Sequence, residues 1–329
     1  MSLLEQTLKA IVPIDPGLEP AIRTHLDQLT KPPKSLGRLE DLAAHYCLIR
    51  NTTTPALGKK KIFTFAGDHG VAEEGVSAYP KEVTPQMVRN MLAGGAAVCV
   101  LAGHVGAEVA VIDIGVDDPL LEAPDLIGRK IKSGTDNLAK GPAMSPEEAT
   151  RAIEVGIELA QSAAQDGVTL IGSGDMGIAN TTPSSALLAV LLPCPVEDIT
   201  GRGTGIDDAG LVKKIEVIKR ALKVNRDRLT DPLSTLAALG GLEIAGICGL
   251  CLGAAASRIP VIVDGFISSA GALVACRLCP QVKDYLFFSH RSEEAGHSTF
   301  LRIFKVEPIL DLKMRLGEGT GAALAMSVI

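Results

Sequence analysis

A chain of 329 residues with a net charge of −6 can bury a large core, and it contains no arginine-rich run suited to nucleic acid. Its longest apolar run, residues 244–256, is shorter than the roughly 20 residues of a membrane-spanning helix, so no membrane partner is expected. With no Trp, 3% aromatic residues and 34 glycines, the core must consist of small aliphatic side chains packed around glycine turns, which favours an α/β fold.

Residues 1–50 show helical patterns broken by prolines, and the tail 305–329 shows no strand pattern. We predict that both ends together form a small helical domain. An acid near the start and the lack of a cationic segment before an apolar stretch argue against a secretory signal. Seven cysteines, an odd number, indicate reduced thiols, so we expect a cytoplasmic protein.

Residues 56–304 are predicted to form a large domain in which short apolar runs alternate with helical patterns. The runs predict strands at 61–66, 108–114, 168–171, 260–264 and 284–289, and the patterns predict helices that include 85–101, 146–166, 209–224, 236–256 and 269–279. This alternation predicts a Rossmann-like parallel sheet with helices on both faces. Ligands of such sheets bind beyond the carboxyl ends of the strands, where we look for chemistry.

Two motifs in these elements could indicate metal. Asp68 and His69 in GDHG follow the first strand, but the six histidines are scattered without HxH or HxxxH spacing. Paired CxxC motifs, Cys248 with Cys251 and Cys276 with Cys279, could hold structural zinc, yet they lie in apolar helical patterns where residues three apart share a face. We interpret the cysteines as buried core thiols, interpret His290 and His297 as structural, and expect no metal site.

The glycine-rich segment after residues 168–171 reads GSGDMGIANTTP. We predict a loop followed by a helix with Thr182 as N-cap and Pro183 at its first position, whose free amides could hold a phosphate. The GxGxxG spacing matches a dinucleotide fingerprint, but Asp175 in the loop and the late cap argue against it, and no GK[ST] follows as in a P-loop. A structural turn without a ligand is the alternative.

Two further glycine-rich segments flank candidate chemistry. GRGTG at 201–205 precedes a helix with Lys213 and Lys214, a combination that suits a phosphate or forms a solvated helix face. GEGTG at 317–321 holds Glu318 on a permissive turn, where it faces a ligand or merely follows a helix C-cap.

Seven segments in this order resemble the nicotinate-nucleotide:dimethylbenzimidazole phosphoribosyltransferase family over nearly the whole chain. They are KPPKSLGRLEDLA, FAGDHGVAEEGVSAYPKEVTPQMVRNMLAGGAAV, GSGDMGIANTTPSSALL, GRGTGIDD, VDGFISSAGAL, SHRSEEAGH and MRLGEGTGAALA. The resemblance implies that nicotinate mononucleotide donates its 5-phosphoribosyl group to a benzimidazole, giving α-ribazole 5′-phosphate and nicotinate. It also implies a homodimer and a reaction without a cofactor.

By the same resemblance, Glu318 is the general base that takes the N–H proton of the benzimidazole. Asp175 could stabilise the positive charge that develops on the sugar. Positions expected to bind the aromatic base are Ser77, Tyr79 and Gln86; positions expected to bind the phosphate or ribose are Gly174, Gly177, Asn180, Thr181, Gly203, Lys214, Asp264 and Ser292.

Two departures limit the resemblance: Asp175 stands where the family has Glu, and Lys34 replaces a glycine in KPPKSLG. The shorter side chain of Asp175 could place a water molecule in a contact that is direct in the family. Two alternatives stay open, the same transfer to another acceptor such as adenine or a phenolic base, and a binding protein without catalytic activity. Glu318 disfavours the second, since a pure binder needs no base.

Overall fold

The computed structural model describes residues 1–119 and 121–329. The strands are β1 Lys59–Gly67, β2 Ala107–Gly115, β3 Leu126–Gly128, β4 Val168–Met176, β5 Val261–Val263 and β6 Leu286–Phe288. The helices are α1 Leu3–Ala10, α2 Glu19–Gln28, α3 Arg38–Arg50, α4 Val83–Leu92, α5 Ala97–His104, α6 Pro146–Gln165, α7 Thr181–Leu191, α8 Val196–Ile199, α9 Asp208–Val224, α10 Pro232–Leu239, α11 Leu242–Ala256, α12 Phe266–Leu278, α13 Ala295–Phe304 and α14 Thr320–Ala325.

The six strands form one parallel sheet in the order β3-β2-β1-β4-β5-β6. This is the doubly wound order, in which the chain direction across the sheet reverses between β1 and β4, and ligands bind in the crevice at that reversal. The predicted parallel α/β sheet is therefore confirmed. The strand β3 was not predicted: it is as short as β5 and β6, but it lies at the sheet edge and is only partly buried, so it lacks their apolar run.

Helices cover both faces of the sheet. Helix α11 packs on the face that carries Phe65, and α14 packs on the face that carries Ile62. Helices α6 and α11 approach each other closely at glycines: a Cβ added at Gly249 would lie 1.8 Å from the carbonyl oxygen of Ile153. The cysteines of both CxxC motifs are buried and free, as predicted for core thiols.

The glycine-rich segment of residues 172–176 is a strand, so the predicted loop after residue 171 is wrong. Gly172 to Met176 continue the ladder with β1, from Ile62 to Ala66. A Cβ at Gly174 would lie 2.3 Å from the carbonyl oxygen of Glu318. The glycine therefore lets the GEGTG segment lie directly on the strand, a close approach that looks the same as a turn in sequence.

Helix boundaries also differ from the prediction, and α12, predicted at 269–279, begins at Phe266. Helix α7 begins at Thr181 with Asn180 as N-cap residue, earlier than the predicted start. The predicted helix 85–101 is two helices, because Gly94 at φ +75° ends the first. The predicted helix 236–256 is interrupted at Gly240 and Gly241, between α10 and α11.

The two chain ends contact different parts of the molecule. Helix α1 packs on α6, where Leu4 N–H donates to Glu154 at 3.1 Å, while α2 and α3 share a small separate cluster around Ile22 and Ala44. Helix α14 packs on β4 and β5. The proposed division into domains stays a prediction. None of the described helices is both long and apolar enough to cross a membrane.

Candidate active site

A cavity of about 310 Å³ opens at the carboxyl end of the sheet, beside the reversal between β1 and β4. Its walls come from segments within residues 76–79, 175–181, 203–204, 265–267, 290–294 and 315–317. Loops that are far apart in sequence therefore meet at one place because the parallel strands all end there.

Asp175, near the end of β4, is one of two acids that line this cavity, with Glu294. Its Oδ2 accepts a hydrogen bond from Asn180 Nδ2 at 3.0 Å, while its Oδ1 has no partner among the described residues. Burial, reinforced by the negative charges of Asp264 and Glu243, raises the pKa of Asp175 well above its usual range. The cavity thus presents a carboxyl group that is easily protonated.

The GEGTG turn places Glu318 directly behind this wall. Glu318 has φ +65°, an unfavourable backbone conformation for a residue with a side chain, and its carbonyl oxygen accepts from Thr64 Oγ1 at 2.8 Å. The N–H of Val98, at the start of α5, faces the carboxylate, and Oε2 has no partner in the described part of the chain. Burial raises the pKa of Glu318 although this N–H lowers it, and the charge of Asp264 adds to the rise.

Asp264, which follows β5, holds the turn in place. Its two carboxylate oxygens accept from Gly319 N at 3.1 Å and Ala322 N at 2.9 Å, at the start of α14. The side chain is 1% exposed, and burial raises its pKa, which the neighbouring His290 opposes. Asp264 therefore acts on the backbone of GEGTG and does not line the cavity.

A group of hydrogen-bond donors lies at the end of the cavity that GRGTG forms. The fully buried Lys214 of α9 donates from Nζ to Thr181 Oγ1 at 2.7 Å and to Gly201 O at 3.0 Å. Burial lowers the pKa of Lys214 to about 8, although the charge of Glu294 works in the opposite direction. Gly203 lies against both Lys214 and Thr181, with φ +54°. A buried ammonium group beside a helix start is suited to an anion.

Ser292 lies near this end of the cavity and is fixed by His297. Its N–H donates to His297 Nδ1 at 2.9 Å, so the ring carries its proton on Nε2, 3.2 Å from Ser269 Oγ. Burial lowers the pKa of His297 to about 3, which keeps the ring neutral. The interpretation of His297 as a structural residue agrees with these contacts.

Two loops of the cavity wall contact each other at the mouth. Ser77 Oγ lies 3.1 Å from Thr204 Oγ1, which also accepts from Ala78 N at 2.8 Å. Tyr79 lines the cavity and is 56% exposed, a large aromatic surface available to a flat ring. Gln86 is exposed on α4, outside the cavity wall.

Comparison with known proteins decides the family. A family model described as phosphoribosyltransferase matches residues 11–329. The chain belongs to this phosphoribosyltransferase family. It is accordingly an enzyme that transfers a phosphoribosyl group.

Similar proteins share almost the whole chain. A nicotinate-nucleotide–dimethylbenzimidazole phosphoribosyltransferase of Chlorobium chlorochromatii is 60% identical over 99% of this chain and 92% of its own length. A protein of the same name from Geobacter metallireducens is 57% identical over 100% of this chain and 93% of its own length. The crystal structure of CobT from Thermus thermophilus superposes with a TM-score of 0.91 at 44% identity, covering 95% of this chain and 94% of that one.

The phosphoribosyltransferase cavity brings together many of the residues predicted from sequence. The predicted residues in its walls are Ser77, Tyr79, Asp175, Gly177, Asn180, Thr181, Gly203 and Ser292. Lys214 and Glu318 lie just behind the walls, Asp264 supports the turn, Gly174 packs under it, and Gln86 is on the surface.

Four polar or charged residues of the cavity wall received no binding or catalytic role in the sequence prediction: Thr204, His290, Glu294 and Arg315. All lie inside segments that carry the family resemblance, so their segments were identified but their roles were not. Arg315, two residues before GEGTG, donates from Nη1 to Gly203 O at 3.1 Å and so joins the two glycine-rich segments.

A buried His–Glu pair occupies the position where the sequence suggested a metal ligand. His69 Nε2 lies 2.9 Å from Glu243 Oε1, and both side chains are fully buried. Among the described residues, no group of three or more His, Cys, Asp or Glu side chains is arranged to hold a metal ion. His69 therefore links the end of β1 to the start of α11.

Proposed function

We propose that this phosphoribosyltransferase transfers the 5-phosphoribosyl group of nicotinate mononucleotide to 5,6-dimethylbenzimidazole, giving α-ribazole 5′-phosphate and nicotinate. The observation that carries the proposal is the chemical difference between the two ends of the cavity. One end offers Lys214, Thr181 and Gly203, and the same cavity is also lined by the buried acid Asp175 and by the exposed ring of Tyr79. A phosphorylated sugar joined to a flat base needs these two environments at once. The substrate names come from the relatives.

The donor's phosphate is assigned to the end of the cavity that holds Lys214. Thr181, at the start of α7, and Gly203 lie within reach of the same anion as Lys214. Ser292, Gly177 and Asn180 complete this side of the cavity, where the ribose would lie. Gly174 contributes by making room for GEGTG.

The acceptor base is assigned to the mouth of the cavity, between Tyr79 and Leu316. Both side chains are more than half exposed and line the cavity, so a planar base would remove apolar surface from water. Ser77 could hydrogen-bond the nitrogen edge of the base. Gln86 reaches this position only if its side chain turns from the surface of α4 toward the mouth.

In the proposed reaction one benzimidazole nitrogen attacks C1′ while the bond from C1′ to the nicotinate nitrogen breaks. The electron pair of that bond stays on nicotinate, which leaves as a neutral pyridine ring. Attack from the face opposite the leaving group converts the β-linked donor into an α-linked product. The other benzimidazole nitrogen loses its proton to Glu318, whose carboxylate must rotate from Val98 N–H toward the cavity.

Asp175 and Asp264 have supporting roles in this proposal. Asp175, when ionised, faces the positive charge that develops at C1′. Asp264 positions Glu318 through the backbone amides of the turn. Neither role requires a cofactor.

Product identification tests the substrates. The enzyme is incubated with nicotinate mononucleotide and, in turn, dimethylbenzimidazole, benzimidazole, adenine and a phenol, and the products are identified by mass spectrometry. We expect α-ribazole 5′-phosphate and equimolar nicotinate. Transfer to adenine or the phenol alone would replace the acceptor assignment, and the absence of any nicotinate release would refute the donor assignment.

Glu318→Gln tests the assigned base, because it preserves size but removes the proton acceptor. We expect kcat to fall by about 100-fold or more, with little change in product binding. Asp175→Asn should cause a smaller loss, and Glu216→Gln, an exposed acid on α9, should have no effect. Near-normal turnover of Glu318→Gln would remove the role from Glu318, and a larger loss in Asp175→Asn would move it to Asp175.

We further propose that the enzyme is a cytoplasmic homodimer. Leu36 and Leu39 are 52% and 44% exposed on the loop before α3 and its first turn, a surface that a second copy could cover. Seven free cysteines suit a reducing compartment. Sedimentation velocity of the protein and of Leu36→Ser tests the assembly: the variant should shift toward the monomer.

A further inference from the structure

Glu294 is a buried acid within the end of the cavity assigned to phosphate. Its carboxylate accepts the N–H of Gly203, at 3.2 Å from Oε1 and 3.0 Å from Oε2, and the residue is 6% exposed. Within the described part of the chain, no Lys or Arg nitrogen lies within 4.0 Å of this carboxylate. Lys214 is nevertheless close enough for the two charges to interact. An acidic side chain is unexpected in the wall of a site for an anion, because like charges repel each other.

The carboxylate of Glu294 packs against the backbone of GRGTG. A Cβ added at Gly201 would lie 2.2 Å from Glu294 Oε1, so this position tolerates only a glycine while the carboxylate is there. The backbone of Glu294 is held separately: its N–H donates to Ser292 Oγ at 3.2 Å and its carbonyl accepts from His297 N at 2.9 Å. The side chain can therefore rotate away without disturbing the start of α13.

A substrate phosphate bound to Lys214 and Gly203 would compete with Glu294 for the same N–H group. One amide hydrogen forms a good bond to one anion at a time, and two anions beside one lysine repel each other. A phosphate group brings three acceptor oxygens and a charge near −2, more than a carboxylate offers. The exchange is thus possible for a phosphate ester but not for a neutral sugar hydroxyl.

We propose that Glu294 occupies the place of the substrate phosphate in the free enzyme. Its carboxylate accepts the N–H of Gly203 and partly offsets the positive charge of Lys214, until the phosphate of the donor displaces it from that N–H. This inference rests on the proposed placement of the phosphate. It assigns Glu294 a positioning role whose removal should strengthen phosphate binding. A residue that only maintained the shape of the loop would have the opposite effect when replaced.

Glu294→Gln tests the exchange, because the amide can still accept from Gly203 but carries no charge. Calorimetry at pH 7.0, below the pKa of Lys214, measures the affinities for nicotinate mononucleotide, inorganic phosphate and nicotinate riboside, which has no phosphate. We expect the first two to tighten by roughly fivefold and the riboside to be unchanged, since a neutral acceptor bonds the amide less strongly than a charged one. Glu293→Gln, the exposed neighbouring acid beside Lys313, should change none of the three.

Two outcomes contradict the proposal. Unchanged or weaker phosphate binding in Glu294→Gln would make the residue purely structural, and equal tightening in Glu293→Gln would reduce the effect to overall charge. Lys214→Met distinguishes a failure of the proposed exchange from a wrong placement of the phosphate. If Lys214→Met weakens phosphate binding while Glu294→Gln does not strengthen it, the placement is right and the exchange is wrong; if Lys214→Met has no effect, the placement itself is wrong.

Discussion

The two ends of the cavity bury ionisable groups of opposite sign, and each end holds its groups in a different way. At one end, the hydrogen-bond partners of Lys214 among the described residues are a hydroxyl and a carbonyl oxygen, Glu294 is close enough for its charge to interact, and burial lowers the pKa of Lys214 to about 8. At the other, Asp175 and Glu318 each keep one oxygen without a partner among the described residues, and burial raises both pKa values. Buried charges normally have partners.

The proposed substrates supply a partner to each end. A phosphate provides a larger negative charge beside Lys214 than the carboxylate of Glu294 does, and the acceptor base provides the proton that Glu318 would take. The ends differ in how their groups are held. The lysine reaches its place on a long side chain from α9, whereas the position of Glu318 depends on backbone packing of GEGTG against β4. This difference predicts that the two ends can be damaged separately.

The largest effect should come from Gly174→Ala, which damages only the carboxylate end. The new Cβ would lie 2.3 Å from the carbonyl oxygen of Glu318, so the turn must move. We expect kcat to fall on the order of 100-fold, because a displacement of about 1 Å misaligns a catalytic group. The free energy of unfolding should fall by about 1–3 kcal/mol. Steady-state kinetics and urea unfolding measure the two.

Gly128→Ala is the matched control for this change, since it also lies in a strand of the same sheet but its Cβ would meet no atom within 4 Å. Gly128→Ala should leave both kcat and the free energy of unfolding unchanged. Affinity for inorganic phosphate should change much less than kcat in Gly174→Ala, because Lys214 reaches its place from α9, although Arg315 joins GEGTG to Gly203. A variant that lost phosphate binding together with kcat would show that the two ends are not independent.

Lys214→Met should damage the phosphate end instead. Loss of a charged donor from the phosphate should raise KM for nicotinate mononucleotide by roughly 10- to 100-fold, with a smaller change in kcat. The variant should be about as stable as the parent, since the lowered pKa of Lys214 shows that burying the ammonium group is costly, and Met replaces it with an apolar side chain of similar length. Equal losses in KM for donor and acceptor, or a large loss of stability, would contradict the separation of the two ends.

The carboxylate end shows where prediction from sequence stops. The long apolar runs identified five of the strands, because a parallel strand buried on both faces is apolar throughout. Gly172 and Gly174 were misread as a loop, since a glycine needed for a close approach cannot be told from one needed for a turn until the partner segment is known. That partner, Glu318, lies more than a hundred residues away.

The phosphate end shows a different limit. Lys214, Thr181 and Gly203 were expected from their motifs, and the structure brings them into contact. Glu294 was given no role, because an acid beside another acid in a polar segment usually faces solvent. Only the fold shows that Glu294 points at Gly203 while Glu293 lies beside Lys313 at the surface.

The smallest effect we predict is a pair of opposite pH dependences that arise from Lys214. Its pKa is lowered from 10.5 to about 8 in the folded protein, so between these values the unfolded chain binds more protons than the folded one. The free energy of unfolding should consequently rise with pH across this window. Affinity for nicotinate mononucleotide should fall there, by up to about tenfold per pH unit, because the deprotonated lysine no longer attracts the phosphate.

Calorimetric titrations and urea unfolding between about pH 7 and 9.5 measure the two trends, and in Lys214→Met the contribution of this residue to both should vanish. Affinity that stayed constant while stability rose would place Lys214 in the folded core but outside the phosphate site, and the contrast between the two ends of the cavity would then have to rest on Thr181 and Gly203 alone.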